Sequence, residues 1–192
     1  MTLLKGDSTM TDTIPELREK LKARIDFLRG DFTLASGKKS DFYFNGKTTT
    51  LRPDALNYAA RIFIDMMKAD KPDRIGGLTL GADALIGAIT AFSWELGMPM
   101  EGFIVRKEPK GHGTGQWIEG PELKTGQRVA IVEDVVTTGG SAIKAIERVR
   151  ESCPGVEIVA VYALVDRLDG GREVMEKMGI TLKSVYTKDD LM

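Results

Sequence analysis

The chain has 192 residues, of which 42% are hydrophobic and 29% charged, a composition that fits one folded α/β domain and excludes a disordered or fibrous chain. Its 27 basic and 28 acidic side chains leave a formal net charge of −1, which excludes the global basic field expected of a nucleic-acid or membrane-surface binder. Cys153 is the single cysteine, so an internal disulfide framework and a multi-cysteine zinc site are excluded, and this residue reads as structurally incidental. No apolar run approaches the ~20 residues that span a bilayer. The opening MTLLKGDSTM lacks the continuous apolar segment of a secretory signal, and a reducing cytoplasm is the expected compartment.

Over 15–28, Leu17, Leu21, Ile25 and Leu28 recur at helical spacing, and Thr13 with Glu16 makes a capping box, which predicts an amphipathic helix ahead of the main fold. FTLASGKKSDFYFNGKTT follows with β-formers, a Ser-Gly turn and alternating aromatics, the pattern of short strands or a hairpin. Helical spacing returns over 54–69 through Leu56, Ala60, Phe63 and Met67. RIGGLTL then reads as a short buried strand, 82–96 as a helix and MEGFIVR as the next strand. KEPKGHGTGQ packs Gly, Pro, Lys and the lone histidine into a stretch without periodicity, which predicts a long mobile loop.

RVAIVEDVVTTGGSAIKAIERVR supplies a strand over 128–134 and a helix in which Ala142, Ile146 and Val149 share a face. EIVAVYALV is a further buried strand, GREVMEKM a short helix and TLKSVY a last strand. Strands that alternate with helices and are apolar on both faces predict an α/β fold, a mainly parallel twisted sheet covered by helices on both sides. No repeat, low-complexity tract or linker marks a second unit, so residues 1–192 are expected to form a single domain.

In such sheets ligands collect at the carboxyl ends of the strands, and Glu133 and Asp134 fall at one of those ends. Thr137, Thr138, Gly139, Gly140 and Ser141 then form a turn into a helix N-terminus, where unpaired N–H groups and the helix dipole favour a phosphate. Amides that take a phosphate, beside acids that accept hydrogen bonds from vicinal hydroxyls, match the layout of ribose 5-phosphate. A Walker A loop fits poorly, since Gly140 is followed by Ser141 and Ala142 rather than by its lysine. A tight strand-to-helix turn with two solvated acids is the plainer alternative.

This segment closely resembles the phosphoribosyl-pyrophosphate signature of type I phosphoribosyltransferases: an apolar strand, two acids, then a threonine-rich glycine loop. The resemblance implies Glu133 and Asp134 at the ribose 2- and 3-hydroxyls and Thr137, Thr138, Gly139, Gly140 and Ser141 at the 5-phosphate. RKEPKGHGTG resembles the catalytic loop of the orotate phosphoribosyltransferases, with Arg106, Lys107, Lys110 and His112 in matching places. It implies that these four meet phosphoribosyl pyrophosphate and that Lys110, His112 and Asp134 are catalytic. The physics agrees, because displacing pyrophosphate leaves several negative charges that loop cations and donors would stabilise, and Gly111, Gly113 and Gly115 would let the loop move. A solvated surface excursion is the alternative from composition alone, and a metal-ligand role for His112 lacks clustered partners.

FTLASGKKSDFYFNGK resembles the substrate segment of these enzymes and implies Tyr43 and Phe44 near the base, although alternate aromatics can simply fill the core, as expected for Phe42. In LVDRLDGG, Arg167 matches the arginine that meets orotate, and the resemblance implies Thr137 as a further orotate contact; an arginine fork suits a planar substrate bearing a carboxylate. A surface ion pair with Asp166 or Asp169 is the alternative. The resemblance implies the type I fold with a small N-terminal hood of helix and strands over about 13–50, a core over about 51–192 and a mobile loop over 106–118. It also implies magnesium held mainly through substrate and water, and a homodimer sharing that loop across subunits, with neither nucleic acid nor membrane as partner. The implied substrates are phosphoribosyl pyrophosphate and orotate, whereas a purine or xanthine substrate and a non-catalytic nucleotide sensor are the alternatives. Three departures stand out: Ala35 where many members carry lysine, GGLTLGADAL without a Tyr-Lys pair, and glutamate opening the acid pair. The second leaves pyrophosphate to the backbone of Gly81, Ala82 and Asp83 or to the loop.

Overall fold

The computed structural model describes residues 12–33, 39–110 and 116–192. Helix α1, Ile14–Lys22, begins at the capping box read from the sequence: the Thr13 N–H donates to Glu16 Oε2 at 2.7 Å, and the Thr13 hydroxyl accepts from the Glu16 N–H. It buries Leu17 and Leu21. The helix does not run on to Leu28. The chain turns after Lys22 into strand β1, Phe27–Thr33, which pairs antiparallel with β2, Lys39–Phe44. Pairing of Phe27 with Phe44, and stacking of the Phe27 ring on Phe42 at 4.9 Å, outweigh a helical stripe that would have left Leu28 with little to pack on; it is 56% exposed.

The segment after β2 also departs from the extended reading. Asn45 caps a short helix α2, Gly46–Thr50, its side chain accepting from the Lys47 N–H at 3.2 Å. Helix α3, Pro53–Met67, starts on a proline at its first turn and buries Ala55, Ala59, Ile62 and Phe63. From there strands and helices alternate: β3 Arg74–Leu78, α4 Asp83–Glu95, β4 Glu101–Val105, β5 Ile118–Glu119, β6 Arg128–Val136, α5 Gly140–Ser152, β7 Glu157–Asp166, α6 Gly171–Lys177, β8 Leu182–Thr187 and the short α7 Lys188–Leu191.

The six-stranded sheet has the order β5-β4-β3-β6-β7-β8, parallel throughout except for β5, which runs antiparallel to β4. Alternation along β6 and β7 sends successive side chains to opposite faces. Ala130, Val132, Tyr162 and Leu164 pack with α1, α3 and α4, while Val129, Ile131, Val161 and Ala163 pack with α5 and α6. Both faces are thus covered, as a parallel sheet requires. The chain winds outward from β3 through β4 on one side and from β6 through β8 on the other. The strand order therefore reverses between β3 and β6, the position at which an open α/β sheet offers a crevice beyond its carboxyl ends.

Helix α1 and the turn after it are tied to this core. Arg18 donates from Nη1 to the Val185 carbonyl at 2.8 Å, the Tyr186 hydroxyl donates to the Arg18 carbonyl, and Arg24 meets Asp54 at 2.6 Å.

Candidate active site

The acid pair lies at the carboxyl end of β6, and strand alternation splits it between the two faces. Glu133 points to the α5 side, where it lines a hollow with Val136, Thr137, Gly139, Gly140 and Ser141. Its side chain is 4% exposed, and Oε1 has no hydrogen-bond partner among the described residues. Burial, and then the neighbouring charge of Asp134, push its carboxyl up to about 8. Asp134 points to the other side and is also raised, chiefly by burial, against the opposing pull of the Val135 N–H at 2.8 Å and the charge of Lys47.

Two glycines bring other segments against Asp134. A Cβ on Gly46 at the start of α2 would collide with its carboxylate, and one on Gly81 in the β3–α4 loop would stand 2.6 Å from Oδ1. Only glycine allows so close an approach. The acid end of β6, the start of α2 and the loop after β3 consequently converge on one point. In that last loop the Thr79–Leu80 peptide is cis, the Thr79 hydroxyl donates to Asp83 Oδ2 at 2.7 Å, and Leu80 is 64% exposed.

The threonine-glycine turn has the geometry of an anion cradle. Gly139 adopts φ +82° as N-cap of α5, and the first helical bond runs from Ile143 N–H to its carbonyl at 2.9 Å, which leaves the amides of the first turn directed outward. From beneath, the Gly171 N–H holds the Thr137 carbonyl at 2.9 Å.

Arg167 follows β7 immediately and is fixed beside this turn by its N–H bond to the Val136 carbonyl at 2.9 Å. Its side chain is 6% exposed, with the guanidinium 4.4 Å above the Phe42 ring and Nη2 3.3 Å from Asp169. The Asp169 pair foreseen as the plain alternative is therefore present, but it joins a buried arginine rather than a surface one. Asp166 instead is fully buried, accepting from the Leu168 N–H at 2.9 Å and from Arg172 at 2.8 Å, and so braces the turn that carries Arg167. Phe42, assigned from sequence to core filling, is indeed buried and is also the aromatic under Arg167. Its signal was its place two residues from Phe44 on one face. Phe44 packs into the core, and Tyr43, on the opposite face, is 40% exposed against Phe32.

The excursion after β4 is more regular at its base than its composition suggested. The Arg106 N–H donates to the Trp117 carbonyl at 2.8 Å and the Lys110 N–H to the Gln116 carbonyl at 3.1 Å, extending the β4–β5 hairpin. Lys107 is exposed. His112, with Gly111, Gly113 and Gly115, lies outside the described residues, as do Ala35 and Lys38. Among the described residues no cluster of three or more His, Cys, Asp or Glu could hold a metal, and no helix is long and apolar enough to cross a membrane.

Comparison with known proteins identifies the family. The phosphoribosyl transferase domain family matches residues 76–187. A relative named orotate phosphoribosyltransferase from Bradyrhizobium diazoefficiens is 46% identical, over 88% of this chain and 91% of its own length. The chain belongs to the phosphoribosyltransferase family, among the orotate phosphoribosyltransferases. Another orotate phosphoribosyltransferase, from Synechocystis, is 42% identical over 100% of this chain and 96% of its own. Among solved structures, the Mycobacterium tuberculosis orotate phosphoribosyltransferase in complex with Fe(III) dicitrate superposes with a TM-score of 0.78 at 38% identity, covering 93% of this chain and 98% of that one. Its complex with 5-phospho-α-D-ribosyl 1-diphosphate gives 0.73 at 31% identity, with 95% of each chain covered. The family match begins within β3 and ends with β8, so it spans the crevice between β3 and β6 and leaves the N-terminal sheet outside.

Proposed function

We propose that the chain transfers the 5-phosphoribosyl group from phosphoribosyl pyrophosphate to orotate, giving orotidine 5-monophosphate and pyrophosphate, a step in making UMP. The observation that carries this reading is the buried Arg167, hydrogen-bonded to the strand that ends in Glu133, Asp134 and the phosphate turn. Thr137, Thr138, Gly139, Gly140 and Ser141 hold the 5-phosphate, and Glu133 and Asp134 accept hydrogen bonds from the ribose hydroxyls. Arg167 and Thr137 bind orotate, Phe42 walls the site beneath the guanidinium, Tyr43 borders it and Phe44 supports that wall from the core.

As the bond from the sugar carbon to pyrophosphate breaks, positive charge grows on the ring and Asp134 stabilises it. Arg106, Lys107, Lys110 and His112 meet the charge gathering on the leaving diphosphate, with Lys110 and His112 acting as donors. Orotate nitrogen attacks the sugar carbon directly, so no covalent enzyme intermediate is needed and the residues act by orientation and charge. The carboxylate oxygens of Glu133 and Asp134 are hard donors of the kind magnesium accepts, and they would border a cation that arrives mainly on substrate oxygens and water. When bound, magnesium neutralises diphosphate charge.

The chain is read as a single unit working in the cytoplasm as a two-fold dimer, each loop serving its partner's site. A groove between α4 and the β4–β5 hairpin, lined by Ile86, Gly87, Ala91, Phe103 and Pro121, supports a second copy as its occupant, with Trp94 77% exposed on the same helix. Mass measurement in solution tests that point. The activity test is pyrophosphate release from phosphoribosyl pyrophosphate and magnesium with orotate, uracil, hypoxanthine, xanthine or adenine. Release with orotate alone is expected. Release with a purine would keep the sugar site and discard the base assignment, and silence with all five would favour a sensor.

A further inference from the structure

Glu119 sits on β5, paired with Ile104 of β4, and its carboxylate faces the base of the loop. One oxygen, Oε1, takes both Arg106 Nη1 at 3.1 Å and Lys110 Nζ at 3.6 Å. The two cations it holds are two of those assigned to the diphosphate. We propose that Glu119 is a positioning residue that stands in for the diphosphate, gathering Arg106 and Lys110 in the free enzyme and yielding them when the diphosphate arrives. This rests on the reading of Arg106 and Lys110 as diphosphate contacts.

Three features suit the residue to that task. First, the pairing is strong enough to gather the cations and weak enough to release them: the side chains of Arg106, Lys110 and Glu119 are 39%, 51% and 38% exposed, the range in which ion pairs are only slightly favourable. A diphosphate offers more charge and bidentate oxygens, so it wins the exchange. Second, the strand that carries Glu119 is pinned. Trp117, two residues before it, lies under the Arg148 guanidinium at 3.8 Å, and Arg148 belongs to α5, the helix whose first turn cradles the phosphate. The carboxylate is therefore held on a fixed strand while the two long side chains swing. Third, Arg106 also donates from Nε to the Glu108 carbonyl at 3.1 Å, so its guanidinium is held in a bent pose from which one edge can turn to a ligand.

The consequence is a substrate-binding cost with a kinetic purpose. Glu119 weakens pyrophosphate as well as phosphoribosyl pyrophosphate, which speeds departure of the product. Glu119→Gln keeps the size and one acceptor oxygen but removes the charge. In this variant, titration of magnesium pyrophosphate is expected to give a Kd about three-fold to ten-fold lower, and KM for phosphoribosyl pyrophosphate and kcat are expected to fall together. Glu119→Asp, which keeps the charge, should stay within about two-fold of wild type. In an Arg106→Ala background the gain from Glu119→Gln should shrink, the coupling expected of groups that act on one another. Unchanged or weaker pyrophosphate binding in Glu119→Gln, equal losses in the Gln and Asp variants, or an undiminished gain without Arg106 would each overturn the proposal. If the wild type releases pyrophosphate with orotate but the variants behave in one of these ways, only the role of Glu119 falls. If the wild type neither binds pyrophosphate nor releases it, the reading of the loop cations falls, and Glu119 with it.

Discussion

On the side of the sheet remote from the crevice, Asp70 receives the Tyr162 hydroxyl and the Lys183 ammonium, the latter at 2.5 Å, while its own carbonyl accepts from Arg128. Burial pushes this carboxyl upward, yet Lys183, Tyr162 and Arg128 together hold it below the usual range. At the carboxyl end Glu133 is more deeply buried, has an oxygen without a partner among the described residues, and is displaced upward. The difference separates two uses of a buried acid. Where partners are complete, the acid holds elements together; where they are missing, the fold bears a penalty that a ligand with hydroxyl donors can relieve.

The sharpest way to break this contrast is to remove charges at the crevice. Asp134→Asn should lower kcat/KM for phosphoribosyl pyrophosphate by ~10²-fold or more, the loss expected of the proposed role at charge formed in the transition state. Its melting temperature should stay level or rise, since the lost carboxylate is buried and raised by that burial. Arg167→Ala should cost a similar factor for orotate, read from steady-state rates at varied orotate. A fall in melting temperature without a specific loss for orotate would make Arg167 a structural residue.

At the opposite end the expected effects reverse. Tyr162→Phe leaves Asp70 short of one donor and should lower stability by about 1–2 kcal/mol in denaturant unfolding, while kcat and KM remain those of wild type. Because Asp70 is displaced downward, its contribution to stability is present above its unfolded value and is lost as pH falls through the lowered folded one. Acid titration of the fold should therefore be shallower at low pH in Asp70→Asn than in wild type.

A pH-dependent effect sharpens the role of Glu133. With its carboxyl moved from 4.5 to about 8, the folded state binds the proton more tightly than the unfolded state, so the associated stability is full below 4.5 and declines as pH rises toward 8. Thermal unfolding at pH 5 and pH 8 should show a larger decline for wild type than for Glu133→Gln. Equal declines would mean that Glu133 finds a partner in solution.

The same contrast explains what could be read from the sequence. The core strands and the helices α3, α4 and α5 were legible because each carries an unbroken apolar period, and the acid pair and threonine-glycine turn because their order along β6 and α5 is local. The end of α1 was not, since Ile25 and Leu28 fit a helical stripe until β1 finds its partner β2. Helix α2 was hidden by threonines that favour extended backbone and are overruled by the Asn45 cap. Phe42 under Arg167 and Gly46 against Asp134 join segments far apart in sequence, and no local pattern marks them. The β5 pairing went unnoticed because its strand spans only Ile118–Glu119.

The most direct single test of the account is calorimetric titration of phosphoribosyl pyrophosphate with magnesium into wild type and into a Glu133→Gln, Asp134→Asn double variant, with melting temperatures measured on the same samples. The account predicts binding weakened at least ~10-fold in the double variant, from loss of the Asp134 charge and of the acceptor oxygens that meet the ribose hydroxyls, with the melting temperature unchanged or higher. Undiminished binding, or a lowered melting temperature, would contradict it and return the two carboxyls to the service of the fold.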